Sequence, residues 1–447
     1  MRKIHITHHA LHITDMKNDP KVIRAWCMYD WANSVYSLII TSSIFPAYYQ
    51  AITKNPANGD RVHFLGFDVV NSVLYSYTLS FSFLCVVILS PLFAGIADHI
   101  GRKKLFMQFF CTLGSFACMG LYFFTGENIY WGLTMLILAT IGYAGSLVFY
   151  NAFLPEITTV ETSDKVSARG FSFGYIGSVI LLIINLSMIL KPELFGGISS
   201  GTASRISFLM VGVWWLGFAQ YTFWILPENR IVKNSQGHVF TSGFKELNKV
   251  YNQVKSMATL KKFLIAFFFC SMGVQTVMYV ATLFGEKEFH LKTGQLITVV
   301  LILQLIAIPG ANFAAYISKK KGNIFTLTCI VSIWILTCLG AYFMQNGNQF
   351  YMLAVVVGLV MGAIQALSRS TYSKFLPKDS EDNASFFSFY DVTEKLAIVI
   401  GTFSYGLIEN LTGSMRNSIL ALGLFFVAGF YFLYITGKSI KNETSVN

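Results

Sequence analysis

Twelve apolar runs, each long enough to cross a bilayer, restrict what this chain of 447 residues can become. They fall at about 25–50, 69–97, 105–125, 130–153, 169–190, 205–226, 261–284, 294–317, 324–344, 350–373, 386–410 and 417–436. A spanning helix needs roughly 20 mostly apolar residues. Backbone amides in lipid must find partners within their own segment, so each run is read as a helix. Charged residues make up only 12% of the chain, about half the share in a soluble domain. The predicted class is an all-α membrane protein with the lipid bilayer as its surroundings. The first run starts after about 24 polar residues and is longer than a signal-peptide core, so no cleavable leader is expected.

A net charge of +11 raises the question of a nucleic-acid partner. The basic residues are dispersed among short loops, where they set orientation, and that partner is excluded. With the N-terminus cytoplasmic, 24 of the 33 Lys and Arg fall in inside segments and six in outside loops. Both termini are therefore expected in the cytoplasm, in a bacterial inner membrane. The seven cysteines lie in apolar runs without a paired spacing, and no metal or cofactor is expected. His5, His8, His9 and His12 would form one stripe on a helix; they read as a weak metal site or as part of a plain tail.

The longest internal connection divides the chain into two sets of six runs. The predicted organisation is a tail at 1–24, a first bundle at 25–226, a linker at 227–260, a second bundle at 261–436 and a tail at 437–447. The halves echo each other: Gly101-Arg102-Lys103-Lys104 follows the second run, and Lys319-Lys320-Lys321-Gly322 follows the eighth.

Polar groups inside the apolar runs mark the functional candidates. Asp30 and Asn33 sit near the start of the first run, three apart and so on one side of a helix. A membrane carboxylate is costly and faces a protein interior or a water path; the plain alternative pairs Asp30 with Arg24 at the surface. Asn151, Gln275, Thr276, Gln365 and Arg369 lie in the fourth, seventh and tenth runs. Arg369 suits a substrate carboxylate and Asp30 an ammonium, with amides fixing orientation. Interhelical hydrogen bonding is the competing reading for the amides. For Arg369 it is a gate salt bridge to Asp391 or Glu394. Asp391 and Lys395, four apart, can also pair with each other. Gly170, Gly174 and Gly177 form a face suited to close helix packing.

The stretch Ala94-Gly95-Ile96-Ala97-Asp98-His99-Ile100-Gly101-Arg102-Lys103-Lys104 resembles the signature loop of the major facilitator superfamily. Gly101 permits the tight turn, Asp98 can latch one of two states, and Arg102 opens the basic run. Ala94 stands where Gly is common, and His99 where Arg or Lys is common. The resemblance implies twelve transmembrane helices in two six-helix bundles, with a site between them exposed alternately to either side. It also implies a monomer.

A narrower likeness runs through Tyr29-Asp30-Trp31-Ala32-Asn33-Ser34, Tyr150-Asn151-Ala152-Phe153-Leu154-Pro155-Glu156, Gly273-Val274-Gln275-Thr276-Val277, Gln365-Ala366-Leu367-Ser368-Arg369-Ser370 and Phe386-Phe387-Ser388-Phe389-Tyr390-Asp391-Val392. Together these resemble the vacuole-effluxer-like family within that superfamily, whose fungal members are associated with amino-acid efflux. The resemblance places Tyr150 with the substrate-contact candidates. Tyr390 and Glu156 join Asp98, Gly101, Arg102, Asp391 and Glu394 as gating or coupling candidates, with protons as the coupling ion. Met272 replaces the family's usual Asp in the seventh run, Glu394 replaces a small residue, and Ser388 and Thr402 replace Gly and Pro.

No nucleophile–base pair, metal cluster or phosphate-binding loop points to an enzyme. The expected function is secondary transport of a small polar metabolite, an amino acid or related zwitterion, with efflux favoured. The alternative is an exporter of hydrophobic or drug-like compounds.

Overall fold

A computed structural model describes residues 17–54, 59–227, 239–291, 293–377 and 380–446. The histidines at 5, 8, 9 and 12 lie outside the described residues. Among the described residues, ten helices are long and apolar enough to cross a membrane. They are built on α3 (Asn71–Ile100), α4 (Lys103–Gly120), α5 (Ile129–Ala152), α6 (Ser163–Leu190), α7 (Ser200–Ile225), α9 (Ala258–Phe289), α10 (Thr293–Lys321), α11 (Asn323–Phe343), α12 (Gly347–Phe375) and α14 (Met415–Val446). Two more complete the set of twelve, and both depart from plain apolar helix. The first run is α1 (Pro20–Val35), a π-helical turn (Tyr36–Thr41) and α2 (Ile44–Thr53). The eleventh is α13 (Asn383–Thr412), which carries Asp391, Glu394, Lys395 and Glu409.

The π turn is held by its serines. Ser37 Oγ donates to the Ser34 carbonyl at 3.0 Å, and Ser42 Oγ to that of Ser37 at 2.9 Å. These bonds satisfy carbonyls that an uninterrupted helix would use, and such turns concentrate at functional sites. Pro20 sits at the helix start, where its missing amide costs nothing, and the Asp19 side chain accepts from the Lys21 amide. Ala25, Trp26, Cys27 and Tyr29 are fully buried, so α1 runs through the interior.

Two features have no apolar signature and were not anticipated. A two-stranded hairpin (β1, Arg61–Phe64; β2, Phe67–Val70) precedes α3. A linker helix, α8 (Val239–Ser256), lies between the halves. It packs on α3 through facing glycines: a Cβ on Gly243 would meet Ile96 at 2.7 Å.

The halves meet where α3 packs on α13 and where α6 packs on α10 and α12. The turns after α3 and α10 correspond, each with a glycine in the left-handed region, Gly101 at φ +67° and Gly322 at φ +86°. Among the described residues, the turns after α3 and α10, α8, the start of α1 and the end of α14 share one face, called here the linker end.

Candidate functional site

Between the halves lies a cavity of about 200 Å³. At ~10–15 Å³ of such space per water, it holds on the order of a dozen waters, the scale of a small metabolite. Its walls include Asp30, Asn151, Gln275, Gln365 and Arg369, all substrate-contact candidates from the sequence, together with Tyr390 and Glu394. Serines 34 and 37 extend the Asp30 stripe along α1 and through the π turn.

Asp30 and Arg369 form the floor at the linker end. Asp30 Oδ2 lies 3.3 Å from both Arg369 Nη1 and Nη2 and accepts from the Tyr150 hydroxyl at 2.7 Å. Arg369 Nε donates to Ser167 Oγ at 3.0 Å and Nη2 to the Ser167 carbonyl at 2.9 Å. Its guanidinium carbon stacks over Phe171 at 4.1 Å and Trp26 at 4.8 Å. Both charges are buried, which is tolerable only because each is paired and hydrogen-bonded. Gly170 makes this possible: a Cβ there would lie 2.6 Å from Asp30 Oδ2 and 3.0 Å from Arg369 Nη2.

Several expectations are corrected. Arg369 does not bridge to Asp391 or Glu394, because the fork is turned towards α1 and α6. Asp30 does not pair with Arg24, which is exposed, but with Arg369. Asn33 and Thr276 do not line the cavity. Three residues advance a helix by about 300°, so Asn33 turns off the stripe that positions 30, 34 and 37 follow. Thr276 faces Gly401 of α13 instead. Tyr150 stands behind Asp30 and orients it.

On the far wall, Gln275 Nε2 donates to Glu394 Oε1 at 2.9 Å. Lys395 Nζ lies 2.6 Å from Glu394 Oε2 and 3.3 Å from Asp391 Oδ1. The tyrosine hydroxyl of Tyr175 donates to Gln365 Oε1 at 2.6 Å. Lys395, Tyr175 and Ser167 are the contributors that sequence reasoning gave little or no weight. Lys395 was visible as a charge in an apolar run; the other two are ordinary helix residues.

The linker end is bolted across the halves. Asp98 accepts the amides of Ala384 at 3.2 Å and Ser385 at 2.6 Å, the first turn of α13. A carboxylate there meets unsatisfied N–H groups and the positive end of the helix dipole. Gly101 makes the turn beside it, while Arg102 is exposed. Lys103, within the basic run, is buried and paired with Glu156, whose Oε1 also accepts from Asn383 Nδ2 at 3.0 Å. A second bolt was missed. Asp164 takes Lys374 Nζ and Ser318 Oγ at 2.7 Å each and Asn323 Nδ2 at 2.8 Å. The turn after α10 has no acid of its own, and the other half supplies one. Lys249 of α8 adds a contact to Asp382 at 2.7 Å.

Comparisons with known proteins agree with this architecture. The family model described as vacuole effluxer Atg22 like matches residues 18–443. An uncharacterised MFS-type transporter of Bacillus subtilis, YxiO, is 30% identical over 434 residues, 96% of this chain and 98% of that protein. Autophagy-related protein 22 of Eremothecium gossypii is 23% identical over 470 residues, 93% and 90% of the two chains. Among solved structures, the major facilitator superfamily transporter FucP in its outward conformation superposes with a TM-score of 0.69 at 14% identity, covering 94% of this chain and 99% of that one. The proton:xylose symporter XylE gives 0.70 at 13%, covering 93% and 94%. The fold is that of the major facilitator superfamily, and the chain is a multi-pass integral membrane protein.

Proposed function

The chain belongs to the vacuole effluxer Atg22-like family, and from that premise we propose that it exports a small polar metabolite, an amino acid or related zwitterion, by alternating access. One observation carries the reading: a metabolite-sized cavity between the halves is floored by the interhalf ion pair Asp30–Arg369. Breaking that pair together with the Asp98 and Asp164 bolts would free the linker end. The structure then corresponds to the state closed at that end. Asp98, Gly101, Glu156 and Asn383 act in gating.

The cavity offers complementary groups to a zwitterion. Glu394 faces it with 22% of its side chain exposed and suits an ammonium. The amides of Gln275, Gln365 and Asn151 supply donors and acceptors for the remainder. Asp30 and Arg369 serve the substrate through the state they hold shut. The 24-to-6 distribution of basic residues supports a cytoplasmic linker end. A bacterial cytoplasmic membrane and a monomeric transporter complete the reading.

Ligand-induced thermal stabilisation of the purified protein tests it, across amino acids, sugars, nucleosides and cationic drugs. A ligand at 100 times its dissociation constant stabilises by about 2.7 kcal/mol. The expected result is a rise in melting temperature with one or more amino acids. A rise with drugs alone would replace this substrate class with hydrophobic export.

A further inference from the structure

Two acids share one lysine on α13. Lys395 Nζ is 2.6 Å from Glu394 Oε2 and 3.3 Å from Asp391 Oδ1, and the Lys395 and Asp391 side chains are each 5% exposed. Fully ionised, the triad carries one uncompensated negative charge at membrane depth. The two acids are not equivalent. Glu394 lines the cavity and has both oxygens engaged, by Gln275 and Lys395. Asp391 does not line it, and its Oδ2 is buried without a hydrogen-bond partner. An isolated buried carboxylate costs far more than a neutral acid in the same place.

Among the described residues, the surrounding elements bring Asp391 no second cation. Tyr143 of α5 and Tyr279 of α9 lie within electrostatic range of Glu394 and Lys395, and Tyr390 within that of Asp391. From α12, Tyr372 is neutral and Arg369 is committed to Asp30. Asp98 of α3, with His99 next in sequence, bonds the start of α13. Lys249 of α8 is shared between Asp382 and Glu246 of its own helix. Between Arg416 and Lys438, α14 has no acid or base beyond Tyr431 and Tyr434.

We propose that Asp391 is the proton-carrying group of this transporter, with Lys395 switching between Glu394 and Asp391. The proposal deepens the transport reading above and rests on it for the exchange step. At rest, Asp391 is a neutral acid and Lys395 neutralises Glu394. A substrate ammonium arriving at Glu394 replaces Lys395 as its counter-ion. The lysine then turns to Asp391, the Asp391 O–H bond breaks, and its electron pair stays on the carboxylate. The proton leaves through the cavity water. Counted over the triad and the bound ammonium, net charge is zero before and after, one ammonium having replaced one proton, so the device is an antiporter; the carboxylate of a zwitterion lies outside this count and meets the cavity amides of Gln365 and Asn151.

Infrared difference spectroscopy on the full chain in liposomes tests this without substrate. The wild type at neutral pH is expected to show the carbonyl stretch of a protonated carboxyl, lost in Asp391→Asn. Charge balance makes two sharper demands. Glu394→Gln removes the excess charge, so Asp391 ionises against Lys395 and the band is lost there too. Lys395→Gln removes the cation, and the band grows. These two variants keep the proposal testable if Asp391→Asn does not fold. Absence of the band in the wild type, or its persistence unchanged in Asp391→Asn or Glu394→Gln, would overturn it. No cargo is added, so the result is separate from whether amino acids are the substrate. In proteoliposomes that transport an amino acid, the same change should abolish uphill export in Asp391→Asn.

Discussion

One oxygen of Asp30 holds two nitrogens of Arg369 at 3.3 Å each, across a sequence separation of 339 residues. The contact joins the first helix of one half to the tenth of the chain, in the other half. Both residues line the cavity, as do Tyr175 and Gln365, whose hydrogen bond also crosses between the halves.

Asp30→Asn should leave a buried arginine without its counter-charge. Removing one partner of a buried pair costs about 3–5 kcal/mol, and here the cost falls on the state closed at the linker end. Ala168 packs against Ala311 and Ala366 between the halves. A cysteine at Ala168, in a background with the native cysteines replaced, should react with a thiol reagent at least tenfold faster in Asp30→Asn. Equal rates would show that the pair does not hold the closed state.

Gly170→Ala should act in the same direction through sterics. The added Cβ meets Asp30 Oδ2 at 2.6 Å and the Trp26 ring at 2.9 Å, and overpacking of this kind costs about 1–3 kcal/mol. Gly217→Ala is the control, since nothing lies within 4 Å of its Cβ position. A lower melting temperature and faster Ala168→Cys labelling are expected for the first substitution alone.

Asp98→Ala strips the acceptor from two amides at the start of α13. Buried donors left unpaired cost ~1–3 kcal/mol. Hydrogen exchange at Ala384 and Ser385 should accelerate, with little change in α11. Asp164→Ala should show the converse, loosening the Asn323 end and sparing Ala384.

Lys249 lies outside the membrane helices. Burial disfavours its ammonium, but hydrogen bonds to Asp382 and Glu246 outweigh this and hold it above the ordinary lysine value of 10.5. A raised lysine contributes its stabilisation at all pH below the ordinary value and loses it only as pH rises beyond. The Lys249→Ala difference in melting temperature should therefore be constant between neutral pH and pH 9. With a side chain 49% exposed, the contact should weaken with added salt.

The sequence made the helices legible because hydrophobic length is a one-dimensional signal. It also marked Asp30 and Arg369 as costly charges in apolar surroundings, but not that they satisfy each other, since their pairing depends on how two distant helices cross. Asn33 shows the limit of spacing arguments: three residues along a helix share a side only loosely, and it turned off the cavity stripe. Asp164 was invisible because an acid in the first turn of a helix looks solvated until the other half's turn closes on it. The linker helix was missed because its apolar side is discontinuous in sequence.

The most direct measurement is amino-acid flux from proteoliposomes, for wild type and Asp30→Asn. The account predicts saturable export of at least one amino acid by the wild type and its loss in the variant. Normal flux in Asp30→Asn would remove the Asp30–Arg369 pair from the transport cycle and contradict the gate at the centre of this account.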